Sequence, residues 1–155
     1  MYRKTTLALA ALAMIALGGT ANAYTFSPKS TKFSATGTLS LSALGTTVQC
    51  HSAFKGKVNA TGAASITGVT FSGTSSVCSL ITPTALPWHT MAKSTSTAVI
   101  KSVTVTGGGG VCGPTNVTIG VSSGGAFTFN NATLSGGCGI NGSVQTSPVV
   151  TITNP

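Results

Sequence analysis

The chain has 155 residues, of which eight are Lys or Arg and none is Asp or Glu. A length of this order suits one domain. Without a side-chain carboxylate there is no acid/base pair for glycoside hydrolysis, no acid to orient a catalytic His and no usual Ca²⁺ ligand, so we expect neither an enzyme nor a cofactor.

Arg3 and Lys4 form a positive n-region, and Leu7 to Leu17 is an unbroken apolar run too short to cross a bilayer comfortably. Ala21-Asn22-Ala23 is an A-x-A cleavage signature. Residues 1–23 are therefore read as an export signal and residues 24–155 as a single domain, secreted from a bacterial cell or held at its surface. After the signal no apolar run approaches membrane length.

The remainder reads as strands and turns. Phe33, Ala35, Leu39 and Leu41 alternate with polar residues, and Val48, Cys50, Ser52 and Phe54 share one face. Val99, Val103 and Val105 are placed together, with Lys101 among them near an edge. Val117, Ile119 and Val121 alternate cleanly, and Ala126 to Thr133 and Val149 to Thr153 supply two more strands. Turns are expected at Gly37, Gly45, Asn59 to Gly62, Gly107 to Gly110, Ser122 to Gly125, Gly136-Gly137 and Asn141-Gly142. The expected fold is all-β, a single antiparallel β-sandwich of short strands. The prolines of Thr82-Pro83-Thr84-Ala85-Leu86-Pro87-Trp88 exclude a central strand there. Trp88, the only Trp, is expected in the core. Sequons at Asn59, Asn116, Asn131 and Asn141 are attributed to turn propensity.

Four cysteines in an exported chain imply two disulfides, for which three pairings are open. The stretch Cys50 to Cys78 is echoed by Cys112 to Cys138. Ile66-Thr67-Gly68-Val69-Thr70-Phe71-Ser72-Gly73 in the first matches Phe129-Asn130-Asn131-Ala132-Thr133-Leu134-Ser135-Gly136 in the second. This repeat favours local pairing, Cys50 with Cys78 and Cys112 with Cys138, and two half-units within the sandwich. His51 and His89 make a poor zinc site when the cysteines are needed elsewhere, so no metal is expected. Beyond the signal the basic residues are Lys29, Lys32, Lys55, Lys57, Lys93 and Lys101. Their single sign suits anionic partners such as acidic extracellular polymers. They form no run and have no Arg or aromatic stripe beside them, which argues against dedicated nucleic-acid recognition.

Phe26-Ser27-Pro28, Phe33-Ser34-Ala35-Thr36-Gly37 and Val48-Gln49-Cys50 resemble the PraB family, named for activation of alkane oxidation. So do Ile81-Thr82-Pro83-Thr84-Ala85-Leu86-Pro87-Trp88 after Cys78, and Val111-Cys112-Gly113-Pro114. The resemblance implies a small exported bacterial protein tied to hydrocarbon growth, biofilm matrix and surface adhesion, with no catalytic residues to carry over. The resulting expectation is a secreted structural or adhesive protein promoting contact with surfaces or hydrocarbons. Sparse charge along the sheets suggests self-association through strand edges, with Tyr24 to Phe33 and Val149 to Pro155 as candidates for pairing with a neighbouring subunit. Two alternatives stand beside it: a monomeric surface-active or anionic-glycan-binding module, and a pilin-like fibre subunit.

Overall fold

A computed structural model describes residues 23–154, so the expected export signal, apart from Ala23, lies outside the described residues. These residues form eleven strands and one short helix. In order these are β1 (Thr25–Ser27), β2 (Thr31–Ala43), β3 (Thr46–Val58), β4 (Ala64–Ser72), α1 (Ser76–Leu80), β5 (Thr82–Thr84) and β6 (Trp88–Ala92). β7 (Thr97–Gly107), β8 (Gly110–Val121), β9 (Ala126–Leu134), β10 (Cys138–Ser147) and β11 (Thr151–Thr153) follow.

All-β holds, but the sandwich does not. β7, β6, β4, β3, β2, β10, β9 and β8 are neighbours in that order, and β7 pairs with β8 to close the ring. The result is an antiparallel barrel of eight strands. Two expected turns turn out to be strand interior, which lengthens the strands enough to tilt and wrap. Gly37 lies within β2, which runs unbroken for 13 residues. A side chain at Gly37 would strike the backbone carbonyl of Ser143, so this glycine lets β10 approach β2 closely. Asn141-Gly142 lies within β10, at an irregularity in its pairing with β9.

Two other local readings fail for related reasons. On β7 the inward residues are Ala98 and Ile100, then Val103; Val99 points the other way. A bulge at Ser102, whose φ is 53°, shifts the phase between them. Its N–H donates to Asn116 Oδ1 at 3.1 Å. Asn141 Oδ1 serves Asn131, φ 46°, in the same way at 3.0 Å. Asn116 and Asn141 therefore hold strand bulges rather than turns. Asn59 does hold a turn, accepting from the N–H groups of Thr61 and Ala63 at 3.0 and 2.9 Å.

The barrel interior is a continuous core from Phe33 and Phe127, in edge contact at 6.0 Å between centroids, to Phe54 and Phe129, stacked at 6.1 Å. Trp88 is 3% exposed and its indole N–H donates to the Thr84 carbonyl at 2.9 Å. That bond ties together β5 and β6, which occupy successive stretches of one edge of β7. Outward positions are polar: Ser34, Thr36, Thr38 and Ser40 on β2, and Asn141, Ser143 and Gln145 on β10. This is the reverse of a membrane-spanning barrel, whose apolar band faces out. Among the described residues no helix is long and apolar enough to cross a membrane.

One end of the barrel is covered. β1 and β11 pair with each other, Phe26 opposite Ile152, and both residues are buried together with Val150. Phe26 N–H donates to the Gly62 carbonyl at 2.8 Å, fixing this ribbon beside the β3–β4 turn. Thr146 secures the other side: its hydroxyl donates to the Gly125 carbonyl and accepts from Val150 N–H, at 2.7 and 2.9 Å. The terminal segments expected to reach a neighbour pair with each other along one side, Thr25–Ser27 with Thr151–Thr153.

Candidate functional site

The opposite end is open. It is framed by the β2–β3 turn at Leu44-Gly45, by α1, by the β7–β8 turn at Gly108-Gly109 and by the β9–β10 turn at Ser135 to Gly137. Between them lies a cavity of about 320 Å³. Its deeper wall is Leu41, Phe71, Val105, Leu134 and Ile140; Leu44, Val77 and Val111 stand at its rim. The few polar side chains on the lining are the hydroxyls of Ser42, Thr46 and Thr106. Phe71, Val105 and Ile140 also border a small void of about 10 Å³ above Trp88 and Phe54, so the packed core forms the floor.

The rim is unusual for its exposed apolar side chains. Leu44 is 87% exposed and Val111 59%, and Leu80 on the adjoining helix is 62% exposed. Turn tips ordinarily carry Gly, Asn, Asp or Ser, so a Leu and a Val beside the glycines of two turns are out of place for a water-facing loop. Leu44-Gly45 and Gly110-Val111 carry that signal in the sequence, but nothing local shows that they converge on one mouth.

Both disulfides lie at this end. Cys50–Cys78 ties α1 to β3, and Cys112–Cys138 ties β8 to β10 across the end of β9. The two cysteine stretches share a plan: a strand carrying the first cysteine, a hairpin, and a returning strand that ends on a mouth-lining residue, Phe71 or Leu134, shortly before the second. The helix is a single short turn and a half that periodicity does not reveal. Ser75 caps it by accepting from Val77 N–H at 3.3 Å, and it places Val77 on the mouth and Leu80 toward solvent.

The lysines sort to the other half. Lys32 and Lys57 are directly opposite each other on β2 and β3, and Lys55 is opposite Ser34. Lys29 precedes β2 beside Gly62, Lys93 lies just after β6 in the connection to β7, and Lys101 is on the lower half of β7. None of the six lines the cavity. The like-charged Lys32–Lys57 pair has no side-chain anion within the chain to offset it, since the sequence contains none. The histidines do not meet: His51 is opposite Ser72 and His89 opposite Ser65, on strands flanking β4 and about 20 Å apart along it. Among the described residues no group of His, Cys, Asp or Glu is placed to hold a metal ion.

What the end-to-end arrangement can do chemically is limited and specific. One end presents uncharged apolar surface around a shallow hole, and the other presents ammonium groups on a hydroxyl-rich wall. Such a body lowers its free energy by placing the first end against hydrocarbon while the second stays hydrated. A family model described as "Alkane oxidation protein activator PraA/PraB-like" matches residues 1–154. No curated protein and no solved structure matches the chain.

Proposed function

Because the chain belongs to the PraA/PraB-like family of alkane oxidation protein activators, we propose that it is an exported, non-catalytic surface protein that brings cells into contact with hydrocarbon. Its mouth enters the oil side of an oil–water boundary, and its lysine-bearing half faces water and the anionic polymers of the cell surface or matrix. The observation that carries this reading is the exposure of Leu44 and Val111 at the rim of an apolar cavity and of Leu80 on the adjoining helix, with all six lysines elsewhere. Two disulfides and a chain without a side-chain carboxylate support the exported, non-enzymatic part. Activation of alkane oxidation, on this reading, is supply: the protein improves access to an insoluble substrate that other proteins oxidise.

The test is adsorption of the pure, disulfide-bonded protein at a hexadecane–water boundary, followed by drop tensiometry. The wild type is expected to lower the tension, and Leu44→Lys/Leu80→Lys/Val111→Lys, altered only at exposed positions, to require at least tenfold more protein for the same effect. Equal activity of the two proteins would overturn the reading. The lysine half is tested separately by binding to an acidic polysaccharide, which should weaken steeply as salt rises.

A further inference from the structure

We propose that the mouth is a binding site for the unsubstituted end of one linear, uncharged alkyl chain. This rests on the interfacial reading above and adds to it a saturable site of defined depth and head-group preference. A greasy rim alone accounts for adsorption. It does not account for a cavity of about 320 Å³ with a packed floor, which is at the lower end of the range for small-molecule sites.

Depth follows from the strands. On β2 the lining runs from Leu41 to Leu44, and on β7–β8 from Val105 to the turn at Gly108. Three residues at the strand rise, reduced by the usual barrel tilt, give roughly 8 Å. A zigzag chain with bonds of about 1.5 Å advances roughly 1.3 Å per carbon, so roughly six carbons reach the floor at Phe71 and Ile140. Carbons beyond these lie outside, against the rim. Eight-stranded barrels are wide enough for one small ligand and no more, which limits occupancy to a single chain.

Charge selects the occupant. No Lys, Arg or His lines the cavity, and the lysines occupy the far half of the barrel. On a chain of about six carbons or fewer, a carboxylate drawn into the mouth would lose water and meet only three hydroxyls and backbone, at a large desolvation penalty; on a longer chain the head stays outside. The site therefore fits an alkane, or the neutral alcohol formed from it, and disfavours a short-chain acid.

The experiment titrates the full, disulfide-bonded protein with 1-alkanols of four to ten carbons and with sodium alkanoates of the same lengths, reading methyl NMR shifts of Leu44, Val105, Val111 and Ile140. Alkanol binding is expected to saturate at one per protein. It should tighten roughly fourfold per added carbon up to about six carbons and then level off. Hexanoate is expected to bind at least tenfold more weakly than hexanol. Val105→Phe fills the cavity and should abolish the shifts. Val111→Lys, at an exposed rim position, should close the gap between hexanoate and hexanol by supplying the missing cation. Absence of saturation, affinity that rises without a break through decanol, or equal binding of hexanoate to the wild type would each overturn the site. If the protein still adsorbs at hexadecane under those outcomes, the interfacial reading stands and only the chain site falls; loss of adsorption as well removes both.

Discussion

Replacing Cys112 and Cys138 by Ser should weaken the barrel at one seam more than anywhere else. β8 and β9 form ladder pairs only at Gly120–Thr128 and Val121–Phe127, near the covered end. Toward the mouth the two strands are held by Gly113 N–H donating to the Ser135 carbonyl and by Ser135 N–H donating to Thr115 Oγ1, both at 2.9 Å. Cys112–Cys138 spans that poorly paired stretch by joining β8 to β10. With a sequence separation of 26, loop closure in the unfolded chain gives about 3.5 kcal/mol. At this chain size that corresponds to a Tm lower by roughly 10 °C. Cys50→Ser/Cys78→Ser opens a loop of nearly equal separation, 28, and should cost nearly the same globally. The two variants separate by amide hydrogen exchange. The first should lose protection between Val111 and Val117 and at Ser135, and the second at α1 and the adjoining end of β3. Loss of protection at the same amides in both variants would refute the idea that the β8–β9 seam is a local weak point.

Two further outcomes follow from composition and packing. Acid unfolding is driven by protonation of carboxylates held ionised in the native state, and this chain has no side-chain carboxylate. Its denaturant midpoint should change little between about pH 5 and pH 2, and a steep loss measured by circular dichroism in that range would contradict the reasoning. Gly37→Ala drives a methyl group into the Ser143 carbonyl and the backbone of Val144, so it should cost about 1–3 kcal/mol in urea unfolding, whereas Gly45→Ala, in an open turn, should cost less through its backbone angle alone.

Local pattern carried the strand faces well where the pairing is regular. Phe33, Ala35, Leu39 and Leu41 on β2, and Cys50, Ser52 and Phe54 on β3, all point inward as alternation implies. It failed where one residue is inserted. The bulge at Ser102 reverses the face of β7, and nothing in Ile100-Lys101-Ser102-Val103 announces it except Asn116, which is distant in sequence. Glycine misled in the same way. Gly37 and Gly142 read as turns, yet each lacks a side chain because another strand passes close by. Barrel closure was the least legible feature: β7 and β8 form a hairpin about the expected Gly107 to Gly110 turn, but the pairing of β2 with β10, far apart in sequence, leaves no mark on either strand alone. The mouth was visible in principle, through Leu44 and Val111 at turns, but their meaning depends on four separated segments converging at one end.

The stopper formed by β1 and β11 at only one base of the cylinder constrains how copies can be joined. With most rungs of the ring already matched, the strand edges left to a newcomer are the thinly laddered β8–β9 seam and the outer sides of β1, β5 and β11. Apart from those edges, the mouth is one apolar disc. Two discs brought face to face satisfy each other and leave nothing for a third copy, so association through that surface ends at a pair and yields no filament.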